Sequence, residues 1–118
     1  MSQTIADLTR RLIAFRDERD WSQFHTLKNL LISLNLEASE MLELTQWKDD
    51  AALEAELHKP EVKARLEEEV ADVFLYLLMI CERAGIGLAE AANRKIDKNA
   101  AKYPAEKARG RADKYTDL

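Results

Sequence analysis

Between Pro60 and Gly85 the sequence runs without an internal glycine or proline, and Val73-Phe74-Leu75-Tyr76-Leu77-Leu78-Met79-Ile80-Cys81 in its second half is apolar throughout. Such a stretch is expected to be one long helix, from Pro60 to about Arg83, with the apolar run buried all round. Pro60 suits the first helical position and Gly85 the end. Glu69 and Asp72 stand at the head of the run, spaced i, i+3, so on a helix their carboxylates lie one above the other on the same face. A carboxylate pushed against an apolar run is costly unless something cationic meets it.

A second pair with the same spacing, Glu37 and Glu40, falls in another apolar stretch. Thr26 can cap this helix, which is expected to reach about Gln46. At roughly 100° per residue, Asn35, Ser39 and Glu43 form its water-facing edge. Glu37 and Glu40 point away from that edge, among Leu30, Leu34, Leu36 and Met41, on a side expected to be covered by protein. Two helices packed on these faces offer four carboxylates, the ligand set of a hard divalent cation such as Mg²⁺ or Mn²⁺. The competing reading is a buried ion-pair cluster, but the two stretches hold too few Lys and Arg to neutralise four acids. Ser33, Asn29 and His25 continue the polar line toward the start of the helix, each four residues from the next, which makes His25 a candidate substrate contact.

The rest of the chain is helical in character too. Of 118 residues 47% are hydrophobic and 34% charged, with only three Gly and two Pro, which points to an all-α protein of one domain spanning residues 1–118. A first helix is expected over Thr4 to Glu18, a short one over Ala51 to Leu57 and another from Leu88 to about Ala101. The charged tail from Ala105 to Leu118 is expected to be extended and partly mobile unless it docks on a neighbouring subunit. Trp21, Phe24 and His25 fall in a short connection, where aromatic side chains either plug the end of a bundle or form a platform for a flat ligand. Net charge is −4 and the basic residues are dispersed, which argues against a nucleic-acid polymer as partner. Cys81, the one cysteine, reads as an inert core thiol in a reducing compartment. No export signal is legible at the N-terminus and no apolar run reaches the ~20 residues of a membrane span, so a soluble cytoplasmic protein is expected.

Several chemistries lack their residues. No Glu-x-x-His supports a di-iron site, no Cys/His spacing suits zinc, and no Gly-rich phosphate loop is present. Lys95, Lys98, Asn99 and Lys102 recur at helical spacing, ordinarily a wet face; beside four acids they are the donors a polyphosphate requires. What remains is carboxylate-bound Mg²⁺ acting on a phosphate ester or anhydride.

Glu37-x-x-Glu40 followed by Glu69-x-x-Asp72 resembles the signature of the all-α nucleotide pyrophosphohydrolases, the MazG-like superfamily. The resemblance to its dCTP pyrophosphatase branch extends through Arg19-Asp20-Trp21, Phe24-His25, Asn29-Leu30-Leu31, Gln46-Trp47-Lys48, Asp72 with Tyr76, Lys95 with Asp97 and Asn99, Tyr103-Pro104, Arg109-Gly110 and Lys114-Tyr115-Thr116. It implies a four-helix bundle assembled as a dimer or tetramer, and Mg²⁺-dependent cleavage of a nucleoside triphosphate between its α and β phosphates. By position, Glu37, Glu40, Glu69 and Asp72 would bind the metal, with Glu40 or Glu37 holding the attacking water. Trp21, His25, Asn29, Trp47 and Tyr76 would surround base and sugar, and Lys95, Asn99, Lys102 and Tyr103 would approach the phosphates. Rival readings are a relative acting on dUTP, a damaged nucleotide or phosphoribosyl-ATP, and, in another class, a helical oligomeric interaction module.

Overall fold

The computed structural model describes residues 3–118, leaving Met1 and Ser2 outside it, and among the described residues there is no β-strand. The described residues form six α-helices in chain order: α1 (Ile5–Glu18), α2 (Leu27–Leu42), α3 (Asp50–Glu56), α4 (Pro60–Ala84), α5 (Leu88–Lys102) and α6 (Ala105–Ala108). The chain divides into two compact units, the first ending at Gly85 and the second running from Ile86 to Leu118.

Local chemistry sets the ends of the helices. Thr4 and Asp7 form a reciprocal capping box at the start of α1, each side chain accepting from the other's backbone N–H. Thr26 caps α2 through the Asn29 N–H, and Asp49 caps α3 through that of Ala52. Pro60 opens α4, where its missing N–H costs nothing, and Gly85 closes it in the left-handed conformation at φ 69°, ψ 36°. The α2 helix stops short of the expected Gln46, because Glu43 to Thr45 tighten into a 3₁₀ turn.

In the first unit α4 is the central element, with α2 packed along it and α1 against it as well. Leu12 of α1, Leu30 of α2, Leu44 of the 3₁₀ turn, and Leu78 and Met79 of α4 form its buried core. Within the run from Val73 to Cys81, only Leu78 and Met79 are fully buried in the single chain; the other seven are half-buried. The expectation of burial all round is therefore not met within one chain. Leu36 remains 59% exposed, so the flank of α2 beside Glu37 and Glu40 is also less covered than its apolar composition suggests.

In the second unit the tail is not simply extended. After α6 it closes with a 3₁₀ turn at Tyr115–Asp117 that sets the Tyr115 ring edge-on to Tyr103, centroids 6.1 Å apart. The Lys102 ammonium lies 5.0 Å from the centre of the Tyr115 ring. Arg111 fastens the end, bonding the Asp113 carboxylate at 2.6 Å and the Asp117 carbonyl at 3.4 Å.

Candidate active site

The packing of α2 on α4 brings Glu37, Glu40 and Glu69 together, each offering one carboxylate oxygen within 4.8 Å of the others. Asp72, one turn beyond Glu69, stands outside this trio but near enough to act on it electrostatically. Burial pushes the Glu37 carboxyl above its ordinary value, and the neighbouring Glu40, Asp72 and Glu69 push it the same way. Glu69 is likewise raised, by burial first and then by Glu40 and Asp72, with Arg65 partly opposing. One oxygen each of Glu37 and Glu69 is buried without a hydrogen-bond partner. No lysine or arginine forms an ion pair with these acids among the described residues, which removes the cluster of buried ion pairs as an explanation. Orphaned carboxylate oxygens that repel one another fit a hard divalent cation, which satisfies both deficits at once.

The aromatic residues of the first unit are held in two turns. Asp20, at φ 55°, reverses the chain after α1, and the Trp21 N–H donates back to the Arg16 carbonyl at 3.1 Å. The Trp21 and His25 rings are 6.5 Å apart and tilted by 55°. His25 Nδ1 is buried without a partner, and burial together with the Arg16 charge holds the imidazole below its usual pKa, favouring the neutral ring. Asn29 donates its amide to the Phe24 carbonyl at 3.0 Å, tying this connection to α2. Phe24 is 61% exposed, so it does not plug the end of the unit.

Trp47 is held differently. Gln46 at φ −59°, ψ 129° and Trp47 at φ 66°, closed by the Lys48 N–H on the Thr45 carbonyl at 3.1 Å, make a type II turn. The third position of such a turn normally takes glycine; here it carries an indole 93% exposed to solvent. A bulky residue in the left-handed region is a genuine outlier, and strain of this kind accumulates where side chains serve a ligand. Tyr76 lies half-buried on α4, one turn after Asp72. In the second unit Lys95, Asn99 and Lys102 are exposed and share one stripe of α5, while the Asn99 carbonyl accepts from the Tyr103 N–H at 2.8 Å.

Two residues with a part in this arrangement were not legible as such. They are Phe15 and Arg19: Phe15 is 43% exposed and carries the Arg19 guanidinium on its ring. A cation four residues after one aromatic and two before another was the available signal.

A MazG-like family model matches residues 32–118, a span that contains all four acids and the stripe on α5. This chain belongs to the MazG-like family. It is 43% identical to rat dCTP pyrophosphatase 1 and 41% identical to the human protein of that name, each over 98% of this chain and 68% of the relative. A solved pyrophosphatase from Archaeoglobus fulgidus matches it with a TM-score of 0.79 and 42% identity, covering 88% of this chain and 95% of the other.

Proposed function

We propose that the chain is a dCTP pyrophosphohydrolase, an enzyme that converts dCTP and water to dCMP and pyrophosphate with Mg²⁺ as cofactor and Mn²⁺ as a substitute. The observation that carries this reading is the trio Glu37, Glu40 and Glu69 with its orphaned oxygens, in a chain so similar over its length to dCTP pyrophosphatases.

In this reading Glu37, Glu40, Glu69 and Asp72 hold the cation. When bound, it neutralises phosphate oxygens and makes water a better nucleophile. Glu40, with Glu37 beside it, accepts a proton from the water that attacks the α phosphorus. The bond from that phosphorus to the bridging oxygen breaks, and pyrophosphate leaves. Lys95, Asn99, Lys102 and Tyr103 donate to the phosphate oxygens, and Trp21, His25, Asn29, Trp47 and Tyr76 surround cytosine and sugar. A neutral His25 suits this role, because its ring brings no charge to the neutral base.

We also infer a homo-oligomer, a dimer or tetramer, from the apolar side chains left exposed on α2. No described helix is long and apolar enough to cross a membrane, and a role in cleaning the nucleotide pool of the cytoplasm fits the proposed reaction. Incubation with each common nucleoside triphosphate and Mg²⁺ tests the reading: dCMP and pyrophosphate are expected, fastest from dCTP, and lost in Glu40→Gln and Asp72→Asn while helical circular dichroism persists. Orthophosphate as the product, or full activity in either variant, would refute it. Faster turnover of dUTP would retain the reaction and change the substrate.

A further inference from the structure

Arg19 stands outside the trio of acids, yet its guanidinium stacks on Phe15 and lies beside the ring of Trp21. Its guanidinium carbon lies 3.7 Å from the centre of the Phe15 ring and 6.0 Å from that of Trp21. Its Nη1 donates to the Phe15 carbonyl at 2.9 Å and pairs with the Glu18 carboxylate at 3.7 Å. Phe15 and Trp21 meet edge to face with centroids 5.7 Å apart at 76°. The flat cation is thus fixed by a backbone carbonyl, an aromatic face and a carboxylate.

The rest of the connection is braced to the same end. The Arg19 and Asp20 N–H groups donate to the Arg16 and Asp17 carbonyls at 3.2 and 3.1 Å. Gln23 bonds both the carbonyl and the carboxylate of Asp20 at 3.0 and 3.2 Å. Arg16 itself is anchored between Asp17 and Glu82 of α4. Despite all this support, Trp21 remains 42% exposed. A tryptophan so firmly supported yet left open to solvent has the form of a prepared stacking surface, since fixing a side chain before binding spares the entropy of fixing it afterwards.

We infer that Arg19 is a positioning residue for nucleotide selection: seated on Phe15, it holds the Trp21 indole in the orientation that receives the base of the incoming triphosphate. The inference rests on the proposed reading of Trp21 as part of the base site. Arg19 touches no phosphate in this scheme, so its contribution is specific to the base. A lysine keeps the charge but lacks the planar guanidinium that spans the two rings.

The test compares Arg19→Ala, Arg19→Lys and Trp21→Ala in the full chain, with steady-state kinetics on dCTP and product inhibition by inorganic pyrophosphate. Base stacking on an aromatic residue gives the scale, and a rise in KM for dCTP of roughly five- to tenfold is expected in Arg19→Ala. The change in kcat should stay within about twofold and pyrophosphate should inhibit as before, because the phosphate donors and acids are untouched. Arg19→Lys should recover only part of the loss. An unchanged KM in Arg19→Ala alongside a raised one in Trp21→Ala overturns the role of Arg19 and leaves the base site standing. An unchanged KM in Trp21→Ala overturns both. Equal loss of dCTP turnover and pyrophosphate affinity, with a lowered melting temperature, overturns the inference in favour of a purely structural Arg19.

Discussion

At Trp47 the cost and the use of a single residue can be separated. Its left-handed backbone costs an L-residue about 1–2 kcal/mol, and at 93% exposure its side chain regains almost nothing by packing. Trp47→Gly is therefore expected to stabilise the fold by about 1 kcal/mol, the relief being offset in part by the entropy glycine adds to the unfolded chain. The same change should raise KM for dCTP by roughly tenfold, on the scale of base–aromatic stacking. Denaturant melts and kinetics check the two halves, and a destabilised variant with unchanged KM would remove Trp47 from the base site. His25 gives a prediction of opposite kind. Burial first and Arg16 second hold it neutral in the fold, whereas in the unfolded chain it takes up a proton near its ordinary value of 6.5. Below that value the unfolded state binds more protons, so this group makes stability fall as pH falls. Melts of the native protein and of His25→Gln should converge as the pH drops from about 7.5 to about 5.5; a gap that stays constant would show that His25 titrates alike in both states.

At the scale of elements, the helices and their caps were legible because each is set by residues close in sequence. Thr4 with Asp7, Thr26 and Pro60 all act within one turn of the ends they fix. The i, i+3 spacing of the acid pairs also sets a shared face before any packing is known, and three of the four acids meet, with Asp72 outside. Burial was not legible, because it depends on what covers a helix. The run from Val73 to Cys81 reads as fully buried, yet one chain supplies full cover only at Leu78 and Met79. The turn at Trp47 was hidden for another reason: its sequence, Thr45-Gln46-Trp47-Lys48, lacks the glycine by which a type II turn is recognised. The end of α4 provides a clean check on the legible part. A methyl group at Gly85 would meet nothing within 4 Å, so its φ of +69° is the sole obstacle. Gly85→Ala should cost about 1 kcal/mol, through the backbone alone. A fall in melting temperature of about 3–6 °C is expected, and an unchanged one would mean that α4 ends in some other conformation.

On the scale of the molecule, what a single chain leaves uncovered is the strongest argument about its assembled form. Leu27, Leu31, Ile32, Leu36 and Leu42 of α2 are each exposed, against a core of five buried side chains. Beside them an open apolar groove of about 420 Å³ runs among Met41, Leu42, Leu44, Leu53, Leu57 and Leu66. Contiguous apolar surface rarely stays in water on a monomer, and burying one leucine contributes about 1.5–3 kcal/mol. A second copy that covers Ile32 and Leu36 would also cover the flank beside Glu37 and Glu40, drying the carboxylates and strengthening their hold on a cation. Assembly and metal binding should then fail together. Light scattering is expected to give two or four times the 13.5 kDa of one chain, and Leu36→Glu should reduce that mass toward the monomer. The melting temperature should rise with protein concentration in the native chain and lose that dependence in the variant. The Mg²⁺ needed for half-maximal activity should increase in Leu36→Glu although no ligand has changed. A monomeric native protein would refute the oligomer outright, while a dissociated variant with unaltered Mg²⁺ demand would show that each chain completes its acid cluster alone.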